Sequence, residues 1–260
     1  MMRRLLVLAL LLSLGGAARA QRVTDTLDVR GGALDVCKQL IAPVVLGGAG
    51  LGVHYLGHES LEMPLREYVM ELPGHDATGT VEEVVSVCRF LPTTAHLGLG
   101  MAGVPSRHAL LDRSIESAIA HFFCYGSGFV AKKLFASVRP DCSDSMSFPS
   151  GHCIVAFTGA ELVRMDYGPW WGAGAYLSAT TTAAGRIWGN HHWLGDLLAG
   201  AGLGILSAHV GGWLLGPVKS LLGIPESEWD GFGTGRVRMT AAPVTDPYSG
   251  ALCMSLAIDF

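Results

Sequence analysis

The sequence predicts an all-α fold, a bundle of about six helices followed by a short C-terminal β-hairpin, and three observations predict it. Half of the 260 residues are apolar. These residues, mixed with Gly and Ala, recur in runs of helical length at 39 to 55, 84 to 104, 115 to 135, 150 to 163, 169 to 187 and 193 to 218. The later runs are joined by short connections, as in a compact bundle.

The elements follow in order. Between the first two runs, "HESLEMPLREYVMELPGHDATGTVEE" is charged and reads as loop plus a short amphipathic helix. The segments 167 to 185 and 197 to 218 are uncharged over nearly a membrane span, the second apart from His209, with Trp170, Trp171, Trp188 and Trp193 near their ends. Those tryptophans fit an interfacial belt or the caps of a soluble bundle. After Gly223, Leu252, Met254, Leu256, Ile258 and Phe260 alternate with other residues, which predicts a terminal hairpin. Such an ending resembles the last strand of an outer-membrane barrel, but the chain lacks the repeated alternating segments a barrel needs.

Three regions are therefore expected: a signal peptide at 1 to 20, a helical domain at 21 to 223 and a tail at 224 to 260. The first, "MMRRLLVLALLLSLGGAARA", has two arginines, an apolar run and a small-residue cleavage site ahead of Gln21. An uncleaved anchor is the alternative, although the apolar run is short for a span. The net charge of −4 and the scattered Lys and Arg exclude a nucleic-acid footprint. Six widely spaced cysteines contain no CxxC pair; they read mostly as small core residues and give no connectivity.

Three clusters carry chemistry. Lys132 and Arg139 lie seven apart, so both are expected on one face near the end of the third helix, stopped by Pro140. Alone, that pair reads as a solvated face. Pro149-Ser150-Gly151-His152 opens the fourth helix, where free N–H groups favour an anion; a capped helix with an incidental histidine fits equally. In "GRIWGNHHWLGD", His192 follows Arg186 by six and precedes Asp196 by four, one helical turn, so Asp196 can orient its ring. The corresponding partner of His191 is Gly195, which orients nothing, so His191 is read as a rim or structural residue.

In an up-and-down bundle these clusters fall at one end. Three cations beside a helix N-terminus suit a multiply charged tetrahedral anion such as phosphate.

Lys132 to Arg139-Pro140, Pro149-Ser150-Gly151-His152, and Arg186, His192 and Asp196 resemble the three signature motifs of the type 2 phosphatidic acid phosphatase superfamily, in order and in spacing. The resemblance covers residues 115 to 218. Within the superfamily, "RPDCSDSMSFPSGH" and the hairpin most resemble its signal-peptide-bearing bacterial branch. It implies a bundle of the chloroperoxidase type and a metal-independent phosphatase working through a phosphohistidine. By the resemblance, His192 is the nucleophile, His152 the acid and base, and Asp196 the group orienting His192. Lys132, Arg139, Ser150, Gly151 and Arg186 then bind phosphate. No metal and no cofactor are called for, because side chains supply the positive charge. One departure is Gly185, where the family usually has a serine whose hydroxyl contacts phosphate.

Greasy helices and tryptophan ends point to a lipid substrate: phosphatidate, phosphatidylglycerophosphate, a polyprenyl pyrophosphate or a lipid A phosphate, with membrane lipids as further partners. A periplasmic acid phosphatase for soluble esters is the alternative. A vanadium haloperoxidase, which resembles the same signature, and a non-catalytic envelope protein rank lower. A serine hydrolase at Ser150 lacks the G-x-S-x-G elbow, and a zinc site at His152, His191 and His192 lacks HExxH spacing. The expected location is the bacterial envelope with the site facing the periplasm. That orientation requires 39 to 55 not to span, or the bundle to be only peripherally embedded.

Overall fold

Proline and small residues set where the helices break and how closely they meet. A computed structural model describes residues 33–72, 78–224, 238–245 and 252–259. Among these, eight α-helices run in the order α1 (Ala33–Leu56), α2 (Met63–Met70), α3 (Thr78–Cys88), α4 (Leu91–Met101), α5 (Leu110–Phe135), α6 (Gly151–Tyr167), α7 (Pro169–Trp188) and α8 (Leu194–Leu221), with a π-helical turn at His58–Glu62 between α1 and α2. The all-α architecture is the one expected, with more helices than the six read from the sequence. The run from 84 to 104 is two helices, because Pro92 sits in the first turn of α4 and cannot donate to a helix continuing from α3.

The predicted signal segment lies outside the described residues. In the tail, β1 (Arg238–Thr245) and β2 (Leu252–Asp259) pair antiparallel, Arg238 opposite Asp259 and Thr245 opposite Leu252.

Helix α6 is the hub. Its Ala156, Ala160, Val163 and Tyr167 pack against Ala175 and Ala179 of α7, and its Leu162 packs against Ala120 of α5 and Ala208 of α8. Small side chains at these crossings bring backbones close. One such close approach joins α1 to α8: a Cβ on Gly50 would fall 2.5 Å from the Ala199 amide nitrogen. Glycine at that crossing seats the C-terminal end of α1 beside the N-terminus of α8.

Helices α1, from Asp35, and α8 are long and apolar enough to cross a membrane by length and composition. They differ in burial: the apolar window of α8 is 61% buried and that of α1 only 11%. Helix α8 is thus a core helix, whereas α1 exposes Ile41, Val44 and Val45, and α5 exposes Phe122, Phe129 and Leu134. The five described cysteines are free thiols, with Cys88, Cys124 and Cys153 buried.

Candidate active site

The C-terminus of α5, the N-terminus of α6, the C-terminus of α7 and the N-terminus of α8 meet at one end of the bundle. Ser150, preceding α6, donates its N–H to the Asp196 carbonyl in the first turn of α8 at 3.0 Å. A Cβ on Gly151 would have the Lys132 side chain of α5 as its neighbour, at 3.8 Å. The structure therefore gathers Lys132, Arg139, Ser150, Gly151, His152, Arg186, His192 and Asp196, although not always by the route read from the sequence.

Two routes need correction. Helix α5 ends at Phe135, with Ala136 in the left-handed region at φ 42°, so Lys132 and Arg139 do not share a helix face. Arg139 arrives on the following loop, where its Nε donates to Asp144 at 2.8 Å and its Nη1 reaches the His191 carbonyl at 3.5 Å. Likewise His192 precedes α8 instead of riding one turn below Asp196. Asp196 is the capping carboxylate: it accepts the Trp193 N–H at 2.9 Å, and its Oδ2 lies 3.3 Å from His192 Nδ1. The cap itself brings the pair together.

Ser147, which the sequence reading missed, completes this group. Its hydroxyl donates to Asp196 Oδ2 and lies 3.3 Å from His192 Nδ1. With Nδ1 turned to the carboxylate, Nε2 of His192 carries the free lone pair. Burial, opposed by Asp196 but aided by Arg139 and Arg186, holds this imidazole down at about 4, so it is neutral at physiological pH.

His152 is also neutral, held down to about 3 by burial and by the charges of Arg186 and Arg89. Arg89, just past α3, donates from Nη1 to His152 Nε2 at 2.8 Å. Glu82 of α3 accepts from Arg186 Nη1 at 2.9 Å and lies 2.7 Å from His191 Nε2. His191 is therefore not without an orienting partner, since Asp141 also lies 3.0 Å from its Nδ1. Long-range partners of this kind leave no spacing signal near the histidines.

Several donors at this end of the bundle keep spare hydrogen-bonding capacity among the described residues. Ser150 makes no side-chain capping bond to α6, and its buried hydroxyl has no hydrogen-bond partner among the described residues. Lys132 Nζ donates to the Met146 carbonyl at 2.5 Å, and burial with the nearby Arg139 lowers its ammonium to about 8. The buried Arg186 keeps its Nε unpaired among the described residues.

Gly185, where a serine was expected, has a steric reason. A Cβ there would fall 2.1 Å from Cγ2 of Val85, so α3 fills the space that a side chain would take.

A helical bundle presenting a helix N-terminus, three cations and a carboxylate-tied imidazole defines a class of anion-handling proteins. Residues 93–216 match the PAP2 superfamily. It is 32% identical to a lipid A 1-phosphatase of Porphyromonas gingivalis over 136 residues, 51% of this chain and 31% of that protein. The chain thus matches about a third of its relative's length. A solved transmembrane PAP2-type phosphatidylglycerolphosphate phosphatase from Bacillus subtilis aligns with a TM-score of 0.45 at 17% identity, covering 72% of this chain and 96% of that one. Glu82 and Arg89 lie ahead of the matched segment.

Proposed function

We propose that the protein is a metal-independent phosphatase acting on a phosphomonoester or pyrophosphate of a lipid through a phosphohistidine intermediate. The observation that carries this reading is the neutral His192, its Nδ1 turned to Asp196, beside three cations and the open N-terminus of α6. Nε2 of His192 attacks phosphorus in line, the P–O bond to the leaving group breaks, and Asp196 stabilises the resulting imidazolium. Lys132, Arg139, Arg186, the Ser150 hydroxyl and the Gly151 N–H hold the equatorial oxygens. Protonated by then, His152 gives its proton to the leaving oxygen. It afterwards takes one from the water that cleaves the P–N bond.

A lipid substrate is favoured by the apolar surface of α1 and α5, where Ile41, Val44, Val45, Phe122, Phe129 and Leu134 are exposed, and by the lipid A 1-phosphatase relative. In this reading residues 1 to 20 direct export, the domain from 21 to 223 is seated in the envelope by that surface, and the site faces the periplasm. Reporter fusions after Val104 and Pro140 are expected to report the exported side; cytoplasmic signals from both would overturn the orientation.

Phosphate release from lipid and soluble phosphate esters, with a chelator present, tests the class. Purified protein should turn over lipid esters in chelator, and His192→Ala should lose activity by several orders of magnitude while His191→Ala loses far less. The reverse ranking of the two variants would remove His192 from the nucleophile's role.

A further inference from the structure

A groove of about 610 Å³ opens beside the phosphate site, far larger than one phosphate and within the range that holds a drug-sized polar group. Its walls include His54, Tyr55, His58, Arg66, Arg139 and Trp193, and no lining residue is a carboxylate. We infer that this groove binds a second phosphate on the substrate's headgroup, with Arg66 as its principal ligand, so that the protein selects doubly phosphorylated amphiphiles. The inference rests on the phosphatase reading and deepens it.

Groove and phosphate site share a wall. Arg139 lines the groove while its Nη1 reaches the carbonyl of His191, and His54 Nδ1 lies 3.9 Å from Asp196 Oδ1. Across the groove, Arg66 Nε donates to Asn190 Oδ1 at 2.8 Å. This bond aims the guanidinium, and no carboxylate among the described residues forms an ion pair with it. A planar guanidinium held at one edge, with its η nitrogens left over, is suited to two-point binding of a phosphate.

The remaining wall is built to stay put. Glu62 is buried, accepts the Gly195 N–H at 2.8 Å through Oε1 and lies 2.8 Å from His58 Nδ1 through Oε2. It therefore fixes the His58 ring to the start of α8. Trp193 donates its indole N–H to the Val138 carbonyl at 2.8 Å and packs edge-on against His58, 4.6 Å between centroids. Of the carboxylates nearby, Glu62 is taken up by His58, Asp144 by Arg139, Asp141 by His191 and Asp196 by His192, and none of them lines the groove. Cationic donors above a fixed aromatic face suit a sugar or glycerol unit that carries a phosphate. His54, Tyr55, His58 and Arg66 all precede the segment matching the superfamily.

The test compares two micelle-dispersed amphiphiles, one with a single phosphomonoester and one with a second phosphate one or two sugar or glycerol units away. Wild type should prefer the second by tenfold or more in kcat/KM, and Arg66→Gln should abolish most of that preference, whereas Arg66→Lys should keep part of it. An unchanged ratio in Arg66→Gln overturns the inference. Direct binding of both amphiphiles to His192→Ala, alone and combined with Arg66→Gln, reads the groove independently of turnover. If the wild type hydrolyses neither compound, the phosphatase reading fails while the binding arm still decides on the groove. Equal affinity of His192→Ala for the two amphiphiles refutes it, as does competition by inorganic phosphate that is unaffected by the second phosphate.

Discussion

Arg89 donates a hydrogen bond to Nε2 of His152 at 2.8 Å, which makes that nitrogen an acceptor with no proton of its own to give. Burial comes first among the causes, with Arg186 and Arg89 next, and together they hold His152 at about 3. An acid at this position must therefore gain its proton when an anion enters and offsets the cations. Arg89→Gln removes one of them. The His152 pKa should rise in the substrate-free protein, measured by the pH dependence of its ring resonances in NMR. An unaltered titration would place Arg89 outside the proton-transfer machinery.

Lys132 gives the rate profile a basic limb. Its ammonium, lowered to about 8 by burial and Arg139, loses its charge as pH rises through that value, and with it one of the three cations proposed to hold the phosphate is lost. Since kcat/KM reports the free enzyme, it should fall about tenfold per pH unit above about 8. A guanidinium stays charged throughout this range. Lys132→Arg, though slower overall, should lack that basic limb; a limb that persists in the variant would assign it to another group.

Gly185 and Val85 exclude each other's growth. Restoring the serine alone drives Cβ to 2.1 Å from Val85 Cγ2, and overpacking of this kind costs about 1–3 kcal/mol. Gly185→Ser should lower the unfolding midpoint in urea, and Val85→Ala in the same chain should recover much of the loss. The double variant places a hydroxyl next to Arg186. One added hydrogen bond of about 1 kcal/mol would tighten inhibition by inorganic phosphate roughly fivefold. No tightening would show that the hydroxyl does not reach the anion in this chain.

How much of this was legible follows from which contacts are local. The helices were, because apolar runs and the turn residues around them are local signals; the break at Pro92 was present in the sequence but overridden by the apolar run on either side. The site's membership was legible through motif spacing and helix direction. Its partners were not: Glu82, Arg89 and Ser147 reach the site from elsewhere in the chain, 109, 63 and 45 residues from His191, His152 and His192 respectively. The route of Arg139 was misread because a helix-like spacing of seven continued past Phe135, where the chain leaves the helix at Ala136.

A second buried polar group lies at the far end of α6, about 25 Å from its N-terminus at 1.5 Å per residue. Asp166 bridges His96 at 2.6 Å and His108 at 2.7 Å, and Glu116 lies 3.6 Å from His108 with neither oxygen hydrogen-bonded among the described residues. Burial, then the charge of Asp166, raises the Glu116 carboxyl to about 8, with Asp112 adding to the effect and His108 and Arg107 opposing it. A folded-state pKa above the ordinary value near 4.5 means that the protonated, folded form is favoured at low pH. Glu116 therefore weakens the fold progressively as pH rises from about 4.5 to about 8, on the order of 1.4 kcal/mol for each pH unit at most. Glu116→Gln keeps the shape without the charge. Its stability to urea should exceed that of the wild type at pH 8 and match it near pH 5, with most of the difference appearing between those values. Parallel pH profiles for the two proteins would mean that Glu116 stays ionised in the fold.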